Sequence, residues 1–207
     1  MTGAAESPLI YVVDDDEAFR DSLRWLLEGA GYRVEAFAQA ESFLASFHPG
    51  AGACLVLDVR MPGRSGLELQ EEMVRQGHVI PIIFVTGHGD VPMAVNAVKN
   101  GAFDFIEKPF KDQALLTLIE NAVNLNVSTL QDEAQRLSAV TRLSMLTQRE
   151  REVMELVVAG RKNKQIADDL GISIKTVEVH RARVMEKTGA TSVAELVQLT
   201  LNGRTSS

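Results

Sequence analysis

The sequence lacks a hydrophobic run long enough to cross a membrane, and its first residues lack the pattern of a secretory signal. Its longest apolar stretches, Leu9–Val13 and Ile80–Val85, have the length of a strand, whereas a spanning helix needs about 20 apolar residues. No basic segment followed by an apolar core, the mark of a secretory signal, occurs at the N-terminus. We therefore expect a cytoplasmic protein with no membrane partner.

Cysteine and aromatic residues are scarce. The single cysteine, Cys54, has no partner for an internal disulfide, and it lies in an apolar run where we expect a buried, unreactive thiol. Aromatic residues make up 5% and apolar residues 45% of the chain, so aliphatic side chains must form most of the core. The histidines show no metal-ligand spacing, and we expect no zinc or haem. They are His48, His78, His88 and His180.

Positive charge is in deficit over most of the chain, whose net charge is -7. The segment Leu146–Ser207 carries ten Lys/Arg against eight Asp/Glu, a net of +2, whereas the residues before it carry 11 against 20, a net of -9. The total argues against nucleic-acid binding, but the uneven division indicates an acidic module followed by a mildly basic one. At 207 residues the chain is long enough for two compact domains.

Short apolar runs rich in β-forming residues alternate with amphipathic segments over roughly the first half of the chain. The runs are Leu9–Val13, Arg33–Phe37, Cys54–Leu57, Pro81–Val85 and Phe103–Ile106. The first intervening helix has an apolar stripe of Phe19, Leu23, Leu26 and Leu27. Repeated βα units of this kind give a doubly wound parallel sheet, a (βα)5 fold for which we expect the strand order 2-1-3-4-5. The predicted fold class is α/β, with an all-α domain at the C-terminus.

The segment between the two predicted domains has a helical pattern. No glycine or proline occurs from Phe110 to Ala159, and apolar or small residues recur at helical spacing. Two alternatives stay open: the last helix of the first domain continues as a dimerising connector, or a shorter helix is followed by a solvated linker. The spacing Thr147-Gln-Arg-Glu150 is a capping box that starts a new helix. The predicted limits are a disordered tail 1–8, the first domain 9–125, a helical linker 126–145, the second domain 146–203 and a tail 204–207.

Polar groups with complementary chemistry follow four of the predicted strands. Asp14–Glu17 and Asp58 supply carboxylates, Thr86 supplies a hydroxyl and Lys108 an ammonium. Each group alone is commonly a helix cap or loop residue, but four of them at four βα junctions favour a joint function. Clustered carboxylates repel unless a hard cation such as Mg²⁺ neutralises them. The set predicts phosphoryl transfer, with Asp58 as the nucleophile.

The N-terminal motifs resemble those of a receiver domain of two-component signalling. The motifs are Val13-Asp14-Asp15, Asp58-Val-Arg-Met-Pro62, Thr86-Gly-His-Gly-Asp90 and Phe105-Ile-Glu-Lys-Pro-Phe110. The resemblance implies that Asp58 is the phosphoacceptor, that Lys108 pairs with the phosphoryl group and that Lys108-Pro109 is cis. It also implies that Thr86 hydrogen-bonds a phosphoryl oxygen and that Phe105 is an aromatic switch. The implied Mg²⁺ ligands are Asp15, Asp58, the backbone carbonyl of Arg60 and, mainly through water, Asp14.

A helix, a tight turn and a second helix follow one another in the C-terminal region. Lys164–Leu170 and Ile174–Lys187 are the predicted helices, and Gly171-Ile-Ser173 is the turn, which is the spacing of a helix-turn-helix. With the run that starts at Leu146, this region resembles the four-helix LuxR-type DNA-binding domain of the FixJ/NarL family of response regulators. The resemblance implies that base edges are faced by Glu178, Val179 and Ala182. It implies that phosphates are contacted by Lys175, Thr176, Arg183 and Lys187.

The resemblance implies a transcription activator rather than an enzyme. The expected partners are a cognate sensor histidine kinase, double-stranded promoter DNA, RNA polymerase and, after phosphorylation, a second copy of the chain. The apolar helix after Asp90, with Met93, Ala94, Val95, Ala97 and Val98, either becomes the dimer face or packs on the sheet. Two alternative functions remain: an enzyme with an aspartyl-phosphate intermediate, and a DNA-binding protein that does not depend on phosphorylation.

Overall fold

The computed structural model describes residues 7–48, 50, 52–87 and 91–204. The chain divides into two compact units, Met1–Leu130 and Gln131–Ser207. Residues 1–6 and 205–207 of the predicted tails, together with His88 and the end of its motif, lie outside the described residues. Among the described residues, no helix combines the length and the apolar character needed to span a membrane.

Strands and helices alternate through the first unit. The strands are β1 (Leu9–Val13), β2 (Arg33–Phe37), β3 (Ala53–Asp58), β4 (Ile82–Thr86) and β5 (Asp104–Glu107). The helices are α1 (Glu17–Gly29), α2 (Ala40–Ser46), α3 (Gly66–Arg75), α4 (Val91–Lys99) and α5 (Asp112–Ser144). The predicted βα alternation is therefore confirmed.

The five strands form one parallel sheet in the order β2-β1-β3-β4-β5, which confirms the predicted topology. The limits of β1 and β2 agree with the prediction, whereas β3 continues through Asp58 and both β4 and β5 begin and end one residue later than predicted. Because all strands run the same way, their C-terminal ends lie at one edge of the sheet, where ligands bind in folds of this class.

Each face of the sheet is covered by its own apolar cluster. On one face, Leu23 and Leu27 of α1 are buried, and Phe19 and Leu26 pack partly buried beside them, so the predicted stripe is confirmed. Cys54 is fully buried in the same cluster, and burial raises the pKa of its thiol well above the ordinary range. The unreactive role expected for this thiol agrees with its surroundings.

The segment with two open alternatives is a single helix, α5, 33 residues long. The alternative of a shorter helix followed by a solvated linker is therefore wrong. Because α5 contains residues of both units, its ends mark no domain boundary, and the limits 9–125, 126–145 and 146–203 stay predictions. The predicted tail 204–207 starts within a helix, because the last helix of the chain ends at Arg204.

Beyond α5 the described residues of the second unit form four more helices: α6 (Gln148–Val158), α7 (Asn163–Leu170), α8 (Ile174–Thr188) and α9 (Val193–Arg204). The predicted capping box starts α6, since the Thr147 hydroxyl accepts from the Glu150 N–H and the Glu150 carboxylate accepts from the Thr147 N–H. Val153, Ile166 and Val177, which come from three different helices, are fully buried in its core.

Candidate functional site

Three carboxylates meet at the C-terminal edge of the sheet. Asp14 and Asp15 directly follow β1, and Asp58 is the last residue of β3. These strands are neighbours, with Val13 beside Leu57, so both chains deliver their carboxylates to the same place. One oxygen of each carboxylate lies within 4.8 Å of the other two. The structure thus brings together the three acids that the sequence singled out.

An ammonium group reaches this acid cluster from the end of β5. The Nζ atom of Lys108 lies 2.9 Å from Oδ2 of Asp14, whose side chain is only 2% exposed. The backbone N–H of Lys108 donates to the carbonyl of Thr86 at 2.8 Å, which ties the ends of β5 and β4 together. The Lys108–Pro109 peptide is cis, as the resemblance implies. A cation is therefore held against the most buried of the three acids.

Asp14 is fixed in place by contacts that the sequence did not predict. Its Oδ1 atom accepts from the backbone N–H of Asp16 at 2.9 Å, and its backbone carbonyl accepts from Nη1 of Arg20 at 2.8 Å. Both oxygens of the carboxylate are thereby engaged, one by Lys108 and one by the backbone. No sequence pattern reveals the contact of Arg20, because its acceptor is a backbone carbonyl.

The half-buried carboxyl of Asp58 has a pKa that is shifted by its surroundings. Burial raises its pKa to about 6, and the negative charges of Asp14 and Asp15 act in the same direction. The Lys108 ammonium and the backbone N–H of Arg60 oppose this rise in pKa without cancelling it. The crevice therefore holds more negative charge than its own cation neutralises.

The two predicted switch residues lie on adjacent strands. Thr86 ends β4 and is fully buried, and its hydroxyl donates to the carbonyl of Gly87 at 2.9 Å. Phe105 of β5 pairs in register with Phe84 and packs partly buried against one face of the sheet. Their movement on phosphorylation stays a prediction.

Gly66, which no motif in the sequence indicated, lies against the backbone of Asp58. Gly66 begins α3, and a Cβ atom built on it would lie 2.1 Å from the backbone oxygen of Asp58. Its backbone N–H donates to the carbonyl of Val59 at 3.1 Å. Only a residue without a side chain permits this approach. The one available signal was the helix start at Ser65, whose capping box with Glu68 is formed in the structure.

Helix α4, for which a dimer face and packing on the sheet are both open alternatives, packs part of its described surface on the sheet. Ala97 is buried, and Met93 and Val98 pack partly buried against the core. Val95 is 38% exposed, and Lys99 is also exposed. The side chain of Ala94 lies outside the described residues. Among the described side chains of α4, some apolar ones are packed and Val95 is exposed, so both alternatives stay open.

The helix-turn-helix of the second unit has the predicted form. Gly171 ends α7 with φ of 64°, a left-handed conformation that favours glycine. Ser173 then caps α8, because its hydroxyl accepts from the backbone N–H of Thr176 at 3.1 Å. Val177 and Val184 fix the buried face of α8.

The opposite face of α8 presents most of the predicted DNA-contacting residues. Those that are exposed are Lys175, Thr176, Glu178, Val179, Ala182 and Arg183.

His180 lies half-buried on the same helix, with Nδ1 buried and without a hydrogen-bond partner. This edge of the imidazole ring is therefore shielded from solvent. In the part of the chain that the structure describes, the acid cluster is the one group of His, Cys, Asp or Glu with metal-ligand spacing.

Lys187 is only partly exposed on α8, because its ammonium is engaged within the unit. Its predicted contact with a DNA phosphate stays a prediction. The Nζ atom of Lys187 lies 2.6 Å from Oε2 of Glu150, a carboxylate that is 2% exposed. The hydrogen bond from Lys187, together with that from the Thr147 N–H, lowers the pKa of Glu150 to about 2. Helices α6 and α8 are therefore joined by an ion pair. No sequence pattern predicts this contact, because the two residues are 37 positions apart.

Two families match the chain, one for each unit. The response regulator receiver domain matches residues 10–120, and the luxR family of bacterial regulatory proteins matches residues 144–200. The first match covers more than half of the chain and contains the whole acid cluster. The second contains the helix-turn-helix.

Individual relatives match over nearly the whole length. The transcriptional regulatory protein FixJ of Bradyrhizobium diazoefficiens is 47% identical over 192 residues, which cover 93% of this chain and 94% of that protein. TdiR of Thauera aromatica is 41% identical over 202 residues, covering 98% and 89%. The structure of the response regulator StyR has a TM-score of 0.85 at 47% identity and covers 94% of this chain and 98% of its own. The chain therefore belongs to the FixJ-like response regulators of two-component signalling, which regulate transcription through a receiver domain and a LuxR-type DNA-binding domain.

Proposed function

We propose that a sensor histidine kinase phosphorylates Asp58 and that this phosphorylation turns the chain into a promoter-binding transcription activator. The observation that carries the proposal is the crevice at the sheet edge, where Asp58 lies with two further acids and Asp14 is bound by Lys108 at 2.9 Å. In the transfer, a carboxylate oxygen of Asp58 bonds to phosphorus while the bond to the donor breaks and the donor leaves with the electron pair. Lys108 neutralises charge on the phosphoryl group.

The donor set of the acid cluster fits a hard divalent cation, and we assign Mg²⁺ to it. Three carboxylates with oxygens within 4.8 Å of one another repel. This repulsion adds to the effect of burial, which is the larger cause of the raised pKa of Asp58. Asp15, Asp58 and the backbone carbonyl of Arg60 would hold the ion, and Asp14 would contribute mainly through water. When bound, Mg²⁺ supplies positive charge to the oxygens of the transferring phosphoryl group.

Thr86 and Phe105 would change conformation together when Asp58 is phosphorylated. The Thr86 hydroxyl donates to the carbonyl of the next residue. A phosphoryl oxygen offers it a charge-assisted hydrogen bond instead. Phe105 packs partly buried on the neighbouring strand, and inward rotation of its ring would follow the movement of Thr86. This pair is the bistable element that phosphorylation biases.

Helix α8 reads the promoter. Glu178, Val179 and Ala182 face base edges, while Lys175, Thr176 and Arg183 position the phosphates. Lys187, whose ammonium also binds Glu150, would add a phosphate contact near the end of the helix. The net charge of +2 over Leu146–Ser207 permits few phosphate contacts, so one chain would bind a single half-site weakly. Phosphorylated chains would therefore dimerise and occupy paired half-sites. The bound dimer would then recruit RNA polymerase. Because bacterial promoter DNA lies in the cytoplasm, the proposal places the chain there.

The test is DNA binding by the full chain under four conditions. Wild type and Asp58→Asn are each titrated onto promoter DNA, with and without beryllofluoride plus Mg²⁺, which together mimic the phosphoryl group. We expect tighter binding for wild type with beryllofluoride and unchanged binding in the other three conditions. Equal affinity in all four would contradict the switch and favour binding that is independent of phosphorylation.

A further inference from the structure

The ammonium of Lys108 has a second neighbour besides Asp14. Its Nζ atom lies 3.6 Å from the centroid of the Phe19 ring, on α1. The Lys108 side chain is only 29% exposed, so water does not fully solvate the charge. The electron-rich face of an aromatic ring attracts a cation, and it does so more strongly when the cation is partly stripped of water. The ring and the Asp14 carboxylate therefore hold the same ammonium from two sides.

The Phe19 ring is itself fixed in place. Its backbone N–H donates to the capping carboxylate of Asp16 at 3.1 Å, which anchors the residue in the first turn of α1. The ring meets Phe110 edge to face, with centroids 6.1 Å apart and planes at 80°. Phe19 also packs against the apolar cluster on this side of the sheet. A ring held by backbone and by packing presents its face to Lys108 without reorganisation.

We propose that Phe19 is a positioning residue for phosphoryl transfer, and that its ring keeps the Lys108 ammonium inside the crevice beside the acid cluster. This inference rests on the proposed function, since it assumes that Asp58 accepts the phosphoryl group and that Lys108 assists. Phe19 acts only through Lys108. An aliphatic residue of similar size would fill the same space but would leave the ammonium free to turn towards water.

The test compares variants of the full chain in phosphorylation by acetyl phosphate with Mg²⁺. Phe19→Leu keeps an apolar side chain but removes the ring face, and we expect it to lower the second-order rate constant about fivefold. Phe19→Tyr keeps the ring and should stay within about twofold of wild type. Phe47→Leu is the matched control, because Phe47 is also partly buried in an edge-to-face pair, with Tyr11, but belongs to the cluster on the other face. It should leave the rate unchanged. Urea unfolding checks that each variant is folded.

A double-mutant cycle separates positioning from packing. Phosphorylation of the Lys108→Ala variant is measured over a longer incubation, because its rate is low. Adding Phe19→Leu to this variant should cause no further loss of rate, because the ammonium that the Phe19 ring positions is absent. A rate for Phe19→Leu equal to wild type, an equal loss in Phe47→Leu, or an undiminished loss in the Lys108→Ala background would overturn the inference alone. Absence of phosphorylation in wild type itself would overturn the proposed function as well.

Discussion

The two units each contain a lysine bound to a buried carboxylate, and the pairs are nearly matched. Lys108 lies 2.9 Å from Asp14, and Lys187 lies 2.6 Å from Glu150. Both carboxylates are 2% exposed, and the two lysine side chains are 29% and 34% exposed. By distance and burial alone, the pairs would be assigned the same role.

Their surroundings make them different. Asp14 shares its edge of the sheet with two further acids, and the pKa of Asp58 rises to about 6. Glu150 receives hydrogen bonds from Lys187 and Thr147, and its pKa falls to about 2. The Lys108–Asp14 pair leaves negative charge around it that a bound cation can neutralise, whereas the Lys187–Glu150 pair is balanced and joins two helices. A buried ion pair therefore indicates a switch only where charge remains unbalanced around it.

The largest effect is expected when the satisfied pair is broken. Lys187→Met leaves the Glu150 carboxylate buried without its cation, and we expect the free energy of unfolding to fall by about 3 kcal/mol. Mg²⁺ should restore none of this loss, whereas it should restore stability to the corresponding Lys108→Met variant, whose acids can bind the ion. Urea unfolding with and without Mg²⁺ measures both. Equal rescue of the two variants by Mg²⁺ would abolish the distinction between the pairs.

The same pair gives a pH dependence of known sign. The pKa of Glu150 falls from 4.5 to about 2 on folding, so the stability it contributes is complete above pH 4.5 and is lost as the pH falls towards 2. The gap in unfolding free energy between wild type and Lys187→Met should therefore close over that range. A gap that persists at pH 2 would mean that lost packing, not lost charge, destabilises the variant.

The receiver crevice should be sensitive to a methyl group. The Cβ of Gly66→Ala would lie 2.1 Å from the backbone oxygen of Asp58, so β3 or α3 must shift, at a cost of about 2 kcal/mol. Mg²⁺ affinity should fall with it, because Asp58 moves. Gly29→Ala is the control, since no atom lies within 4 Å of its added Cβ, and it should change stability by less than about 0.5 kcal/mol. Equal stabilities of the two variants would contradict the close approach.

Removing the negative charge of Asp58 should stabilise the folded protein. Burial and neighbouring acids raise the pKa of Asp58 from 3.8 to about 6, so ionisation of Asp58 destabilises the folded state increasingly from pH 3.8 to 6. Without Mg²⁺ at pH 7, Asp58→Asn should be more stable than wild type by about 1 kcal/mol, a figure reduced for water screening of a half-buried group. The advantage should vanish below pH 3.8. Thermal unfolding across this pH range measures it, and a less stable variant at pH 7 would refute the account.

The smallest effect concerns DNA. Lys175 is exposed on α8, and Lys175→Ala should reduce the slope of log affinity against log salt by about 1, as loss of one phosphate contact does. Lys111→Ala, which removes an exposed lysine of the first unit, is the control and should leave the slope unchanged. Identical slopes for wild type and both variants would remove Lys175 from the interface.

The parts of the structure that depend on local pattern were predictable. Alternating apolar runs gave five parallel strands in the expected order, and the acids of β1 and β3 meet because parallel strands end at one edge. The capping box at Thr147 and the turn at Gly171 formed as predicted, since both depend on neighbours in sequence. The sequence motifs and the predicted strand order together were enough to predict the acid cluster.

The contacts that escaped prediction join distant segments. Phe19 fits the apolar stripe of α1, but its contact with Lys108 spans 89 positions and depends on how β5 ends. Gly66 matters because of where α3 passes Asp58. Lys187 follows the outward basic pattern of its helix, yet it turns to Glu150 because a buried carboxylate without a cation costs more than a solvent-facing lysine gains.

The residue that accepts the phosphoryl group can be identified directly. The full chain is incubated with acetyl phosphate and Mg²⁺, and the acyl phosphate is then reduced with borohydride. This reduction converts a phosphorylated aspartate into homoserine, which peptide mass spectrometry locates. We expect homoserine at position 58 alone, and none in Asp58→Asn. Homoserine at position 14 or 15 in wild type, or an unmodified chain after full incubation, would contradict the assignment of Asp58 as the phosphoacceptor.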